Sequence, residues 1–281
     1  MEHHISDQLL QGFRSALLAE EHGAGTVDKY LRDVAAFRAF LPQGAPVDRE
    51  GAIRWKAQLQ RRRYAVPTIN SMLAAVNSFF AYAGWGECRV KALRVQRRIF
   101  RDASRELSLA EYRKLLETAA ARGQERLALL METIGATGIR VSEVPYITVE
   151  AARAGRAEIA LKGKIRVILL PGKLCRRLLR YAGHKKIASG EIFLTKDGNR
   201  LSRKQIWVQM KRLCSHAGVA PTKVFPHNLR HLFAQLYYKA NRDIVKLADV
   251  LGHSSIETTR IYLRTDGREH IRQIERLGLL W

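Results

Sequence analysis

Six residues with the chemistry of an active site stand in four short clusters in the later part of this chain. They are Arg140 in ATGIRVSEV, Lys162 in KGK, His227 and Arg230 in PHNLRHLFA, and His253 and Tyr262 in LGHSSIETTRIY. Taken singly, each has an ordinary reading. An arginine after a helix-ending glycine commonly makes a surface ion pair, a hairpin lysine is commonly solvated, and His227, Arg230 and His231 on one helix can form a plain polar face. Taken together, two arginines, two histidines and a lysine are donors able to surround a phosphate. Such donors stabilise the charge that builds on a phosphoryl group as it is attacked. Tyrosine is among the side chains that form covalent intermediates, so Tyr262 can be the attacking group. A zinc reading fails on residue type. His227 and His231 have i, i+4 spacing, but the metalloprotease pattern needs Glu directly after the first histidine, and Asn228 stands there. Arg230 beside the pair would repel a dication. The chemistry that fits is metal-free phosphoryl transfer.

The rest of the chain agrees with a phosphate-bearing partner. Its 281 residues hold 49 Lys and Arg against 26 Asp and Glu, a formal charge of +23. The basic residues run along the whole length and not in one tail, which predicts a folded basic surface; nucleic acid is the commonest partner of such a surface. Apolar content of 47% suits a globular protein. No run of 18 apolar residues suggests a membrane span, and the first residues have neither the basic start nor the cleavage site of a signal peptide. Three widely spaced cysteines, Cys88, Cys175 and Cys214, argue against a disulfide framework and suit a reducing cytoplasm.

The elements that must position the six residues can be read from periodicity. The first ninety or so residues read as helices. Val27, Tyr30, Leu31, Val34, Phe37 and Leu41 make one apolar face, with Thr26 as cap and Asp28 near the positive helix end. Ile69, Leu73, Val76, Phe79 and Phe80 repeat the pattern after a Pro67–Thr68 start. Between them Arg61, Arg62 and Arg63 stand in a row, either a solvated face or a set of phosphate contacts. Residues 89–105 are dense in arginine, including Arg97, Arg98 and Arg101, and lack a sustained apolar face, which reads as a linker. A new helix starts at a Ser108–Glu111 capping box, and another ends at Gly138. Ile159, Leu161, Ile165 and Val167 alternate about a glycine, predicting a β-hairpin with Lys162 and Lys164 at its tip. Ser202 with Gln205, and Ser254 with Glu257, form further capping boxes, the latter starting the tyrosine helix just after His253. Pro145 leaves the local helix geometry after Arg140 open. The fold class is mainly α with a small antiparallel β-sheet.

TGIRVSE, the lysine of KGK, HNLRH and LGHSSIETTRIY, in this order, resemble the tyrosine site-specific recombinases, the family of phage integrases and Xer recombinases. The twenty-two positions from Arg140 to Lys162 and the nine from His253 to Tyr262 are also similar to the family's separations. The resemblance, closest to the compact two-domain Xer type, implies a helical core-binding domain at 1–95, a basic linker at 96–105 and an α+β catalytic domain with a C-terminal tail at 106–281. It implies a DNA strand transferase that works through a 3′-phosphotyrosyl bond and a four-way junction, without metal, ATP or other cofactor. Tyr262 would be the nucleophile, Arg140 and Arg230 the phosphate clamp, and Lys162 (or Lys164) the acid for the leaving oxygen. His227 would assist proton transfer at the tyrosine and His253 would hydrogen-bond the phosphate, with Glu143 and His231 in support. Implied partners are double-stranded DNA, further copies in a synaptic tetramer and accessory proteins, with no membrane, in a cytoplasmic, nucleoid-associated setting. The tail, with Ile271, Ile274 and Leu277 on one face, would pack on its own domain or on a neighbouring copy. A catalytically silent DNA-binding protein of the same fold and a type IB topoisomerase are the alternatives.

Overall fold

In the computed structural model the chain is described over residues 2–94, 103–161, 164–253, 255–263, 271–272 and 274–279. It divides into two units, Met1–Arg97 and Arg98–Trp281, each with its own apolar core. Among the described residues the first unit has four α-helices: α1 (Asp7–Ala19), α2 (Ala24–Phe40), α3 (Arg49–Arg61) and α4 (Val66–Tyr82). Their apolar stripes meet in a core of aromatic rings, with Phe13 edge-on to Phe79 at 5.3 Å and Phe37 edge-on to Phe80 at 5.7 Å. Pro67 sits in the first turn of α4, where its missing N–H costs nothing. The expected cap of α2 is displaced. The helix begins at Ala24 behind Gly23, and Thr26 lies inside the first turn, its amide donating to the Gly23 carbonyl at 2.7 Å. Gly23 already takes the extended conformation that a cap requires, so the helix runs back past the hydroxyl.

The basic stretch after α4 is partly tied to this unit. Asn77 exchanges both backbone hydrogen bonds with Val90, at 3.0 and 2.8 Å, and Asn70 does the same with Leu93, at 2.8 and 2.9 Å. Each amide side chain stands in for a strand neighbour. Arg61 ends α3, Arg62 caps it, and Arg63 follows with φ +56°; all three side chains are exposed. Arg97, Arg98 and Arg101 lie outside the described residues.

The second unit begins its helices with α5 (Leu109–Ala121), where Ser108 and Glu111 make the reciprocal capping box. The buried helix α6 (Glu125–Thr137) follows, ended by Gly138 at φ +65°. A 3₁₀ helix, Val141–Tyr146, accommodates Pro145, and α7 (Val149–Ala154) leads into the hairpin. Strands β1 (Arg156–Leu161) and β2 (Lys164–Leu169) pair antiparallel, with Leu161 opposite Lys164 and Ile159 opposite Arg166. The phase of β2 differs from the sequence reading. Ile168 faces the core, whereas Ile165, Val167 and Leu169 are exposed. Then come α8 (Gly172–His184), α9 (Arg203–Ala217) with its Ser202–Gln205 box, α10 (Pro226–Asn241), α11 (Ile244–Leu251) and the short α12 (Ile256–Arg260). The cap of α12 is Ser255, whose hydroxyl accepts from the Glu257 amide at 3.3 Å; Ser254 lies outside the described residues. Leu115, Leu130, Met131, Ile134, Leu178 and Met210 form the centre of the core. Among the described residues no helix is long and apolar enough to cross a membrane, and all three cysteines are free and buried. Of the tail, Ile271, Ile274 and Leu277 are exposed.

Candidate active site

The site is assembled where the ends of several elements meet the N-terminal half of α10. His227, Arg230 and His231 stand at i, i+3 and i+4, so the helical repeat puts all three on one side. Arg230 is almost wholly buried. Its Nη1 donates to the Gly138 carbonyl at 2.5 Å, and its Nη2 donates to the Leu251 carbonyl at 2.9 Å. These acceptors are at the C-terminal ends of α6 and α11, where helix carbonyls lack intrahelical partners and carry partial negative charge. Gly138 is required twice over. Its φ is left-handed, and a Cβ there would stand 2.5 Å from Phe233 Cδ1 and 3.0 Å from Leu251 Cδ2.

The Arg230 Nη2 group also lies 2.8 Å from His253 Nε2. A guanidinium only donates, so Nε2 is the unprotonated nitrogen, and Nδ1–H donates to Thr259 Oγ1 at 2.8 Å. Thr259 is completely buried on α12. Burial first, then the Arg230, Arg140 and Arg166 charges, push the His253 ring down to about 4. His227 is displaced in the same direction, by burial and then by Arg230 and Arg140, although part of its ring remains exposed. Both imidazoles are therefore neutral near pH 7, each with a nitrogen able to accept a proton.

Arg140 caps the 3₁₀ helix rather than lying within a helix. Its backbone N–H donates to Glu143 Oε2 at 2.7 Å and its Nη1 donates to Glu143 Oε1 at 2.9 Å. Glu143 is buried, while the Arg140 side chain is 40% exposed, so one face of this guanidinium is open to solution. A further arginine, Arg166 on β2, donates to Glu143 Oε2 at 2.6 Å and to the Leu251 carbonyl. Thus two guanidinium groups share one buried carboxylate, Arg230 and Arg166 share the Leu251 carbonyl, and the local field is strongly positive. A buried Nε of Arg230 has no hydrogen-bond partner among the described residues.

Tyr262 is in the 3₁₀ turn Ile261–Leu263 after α12 and is only 2% exposed. Its ring lies among three imidazoles: stacked on His253 at 5.8 Å, edge-on to His231 at 5.0 Å, and tilted to His227 at 6.0 Å. Ala234, Leu247 and Leu251 complete its surroundings. The phenol also interacts with Arg230. The Gln235 side-chain amide Nε2–H donates to His231 Nδ1 at 2.5 Å. The structure therefore brings together Arg140, His227, Arg230, His231, His253, Tyr262 and Glu143. Lys162 lies outside the described residues, between the paired Leu161 and Lys164.

Two participants were not visible in the sequence reading, Arg166 and Thr259. Arg166 stands two positions before Ile168, in phase with the core-facing residues of β2, and that phase is its signal. It was masked because IRVILL is apolar in both phases of the alternation. Thr259 offered only its three-residue spacing before Tyr262.

Comparisons with known proteins match both halves of the chain. The model of the phage integrase family matches residues 105–269, and that of the phage integrase N-terminal SAM-like domain matches residues 10–87. Tyrosine recombinase XerA of Pyrococcus furiosus is 28% identical over 98% of this chain and 96% of its own length. Tyrosine recombinase XerC of Roseiflexus castenholzii is 30% identical over 87% and 85%. Among solved structures, XerH recombinase in a post-cleavage complex with difH DNA superposes with a TM-score of 0.73 at 20% identity, covering 98% of this chain and 84% of that one. A lambda integrase dimer on a core site gives 0.73 at 18% identity, over 92% and 94%. With both halves of the chain matched in order, and the tyrosine, arginines and histidines gathered on one helix face and its neighbouring turns, the chain belongs to the phage integrase family of tyrosine recombinases.

Proposed function

We propose that this tyrosine recombinase breaks and rejoins DNA at a specific site, with Tyr262 as nucleophile. The phenolic oxygen attacks the scissile phosphorus, the bond to the 5′-oxygen breaks, and the 3′-phosphate becomes joined to the tyrosine. Lys162 supplies the proton that makes the leaving oxygen a 5′-hydroxyl, and His227, neutral near pH 7, receives the phenol proton. A 5′-hydroxyl from a partner duplex then reverses the step, and two such exchanges pass through a four-way junction. The phosphodiester energy is kept in the tyrosyl bond, so the reaction asks for no ATP or other cofactor. Arg140 and Arg230 hold the two non-bridging oxygens with the planar fork that a lysine lacks, and His253, which gains a proton at Nε2 when the phosphate's charge offsets the arginine field, donates a further hydrogen bond to the phosphate. The phosphate enters from the open side of Arg140, which is the exposed member of the pair.

The observation that carries this reading is the linked cluster of Arg140 and Arg166 on one buried carboxylate and of Arg166 and Arg230 on the Leu251 carbonyl, beside a tyrosine ringed by imidazoles. A phosphodiester supplies the anion that such an excess of guanidinium favours, and the same field disfavours a metal cation. Tyr262 is covered in the free protein, so attack requires the phenol to leave its ring cluster. It sits on a three-residue turn behind a five-residue helix, the kind of short element that opens at little cost.

The assignment extends to the whole chain. Residues 1–95 form the core-binding domain, 96–105 a basic linker and 106–281 the catalytic domain. Arg61, Arg62, Arg63, Arg97, Arg98 and Arg101 contribute phosphate contacts, and four copies assemble on two duplexes in the cytoplasm, at the nucleoid. The test is to incubate the protein, without metal, with nicked suicide duplexes tiled across the DNA flanking its gene. An SDS-resistant adduct mapped to Tyr262 and lost in Tyr262→Phe is expected. Tight, salt-sensitive binding of one fragment without any adduct would instead identify a silent DNA-binding protein. Relaxation of a plasmid without recombination between two sites would identify a topoisomerase.

A further inference from the structure

Arg166 has no role in the chemistry described above, yet it joins three parts of the site. It projects from the core face of β2, opposite Ile159, and its side chain is 15% exposed. One terminal nitrogen donates to Glu143 Oε2 at 2.6 Å, the same oxygen that accepts the Arg140 backbone N–H at 2.7 Å. The other donates to the Leu251 carbonyl, which Arg230 also engages. Charge balance alone does not explain the arrangement. Arg140 already pairs with Glu143, and the second guanidinium is placed where Arg140 disfavours its charge, as the lowering of the Arg166 pKa by burial, offset in part by Glu143 and reinforced by Arg140, reflects. A fold that holds like charges against one buried carboxylate does so where the geometry serves a purpose.

The turn that presents His253 is built around the same side chain. Gly252 has φ +63°, and a Cβ there would run into the Arg166 guanidinium and stand 2.6 Å from its Cδ. Arg166 therefore occupies the space against which the α11–His253 turn closes. It stands four positions after Lys162 in sequence, and through it β2 is bonded to both the Arg140 box and the Arg230–His253 turn.

We infer that Arg166 is a positioning residue for strand cleavage, orienting Arg140 through Glu143 and fixing the His253 turn through the Leu251 carbonyl. The inference rests on the recombinase reading given above. It requires a fork: a lysine at this position keeps the charge but cannot serve a carboxylate and a carbonyl from one rigid plane.

The experiment uses the full chain and the duplex on which the unaltered protein forms its Tyr262 adduct. Arg166→Lys and Glu143→Gln, which break the same link from its two sides, are compared with the unaltered protein in single-turnover cleavage, DNA affinity and thermal melting. Affinity is expected to stay within about threefold, while adduct formation slows by about 10–100-fold, the scale of an ångström-sized misplacement. The loss should shrink on a duplex whose scissile phosphate is a methylphosphonate, because a neutral phosphorus centre depends less on an oriented Arg140. Cleavage by Arg166→Lys at the unaltered rate would overturn the inference and leave the recombinase reading standing. Equal losses on both substrates, or losses that follow the melting temperature alone, would reduce Arg166 to a structural residue. Failure of the unaltered protein to form an adduct on any duplex would remove both readings at once.

Discussion

His253 shows how a few neighbours set the behaviour of a single ring. Its Nε2 is turned to Arg230 and its Nδ1–H to Thr259, and burial among guanidinium groups holds its pKa near 4 instead of 6.5. The folded form thus resists protonation while the unfolded chain accepts it. The sign follows: this contribution to stability is intact above about pH 6.5 and is lost as pH falls towards 4. A histidine titration by proton NMR should place the His253 midpoint near 4 in the free protein, and it should rise when a phosphodiester occupies the site, since an anion cancels the arginine field. A midpoint near the ordinary value would mean that the three guanidinium groups do not converge. Thr259→Val keeps the shape but strands the Nδ1–H, so a loss of about 1–2 kcal/mol in thermal or denaturant unfolding is expected. At this scale the sequence was most legible for groups whose chemistry is rare. Arginine, histidine and tyrosine in short clusters announce a phosphate site, whereas a threonine that fixes a tautomer looks like any helix residue until the ring is seen against it.

Elements carry a different kind of information. The Ser108–Glu111 and Ser202–Gln205 boxes are local and reciprocal, and both were readable from four residues. The end of α6 at Gly138 was readable as well, but not the reason its side chain must be a hydrogen. That reason is tertiary: Phe233 of α10 and Leu251 of α11 fill the space, and the freed carbonyl holds Arg230. Gly138→Ala should therefore cost about 1–3 kcal/mol from the left-handed backbone alone, with the steric conflict added. Because the Arg230 acceptor moves with it, cleavage should fall further than the melting temperature explains. Unchanged melting in Gly138→Ala would show that the turn is free to relax. The hairpin was legible as a hairpin but not in its phase, since both faces of β2 carry apolar residues. Only packing decides which one turns inward. The start of α12 moved by one residue for a similar reason: adjacent serines offer equivalent caps, and the choice of Ser255 depends on where the His253 turn delivers the chain.

At the scale of the whole molecule the dominant property is charge. With 49 basic against 26 acidic residues, association with DNA must release many condensed counterions. Whether the exposed Arg61–Arg63 run takes part is a question of phosphate contact against plain solvation, and salt dependence separates the two. If these arginines touch the backbone, each contact adds about 0.9 to the slope of log affinity against log salt concentration. The triple change of Arg61, Arg62 and Arg63 to alanine should then flatten the slope by about two to three and weaken binding most at low salt. The rate of adduct formation at saturating DNA should not change, because the tyrosine, its clamp and its imidazoles all belong to the other unit. A parallel line, weaker or equal at every salt concentration, would mean that the arginines face water and that the charge acting on DNA lies elsewhere on the chain. A change in the saturated rate would mean that the first unit acts on the chemistry as well as on the grip.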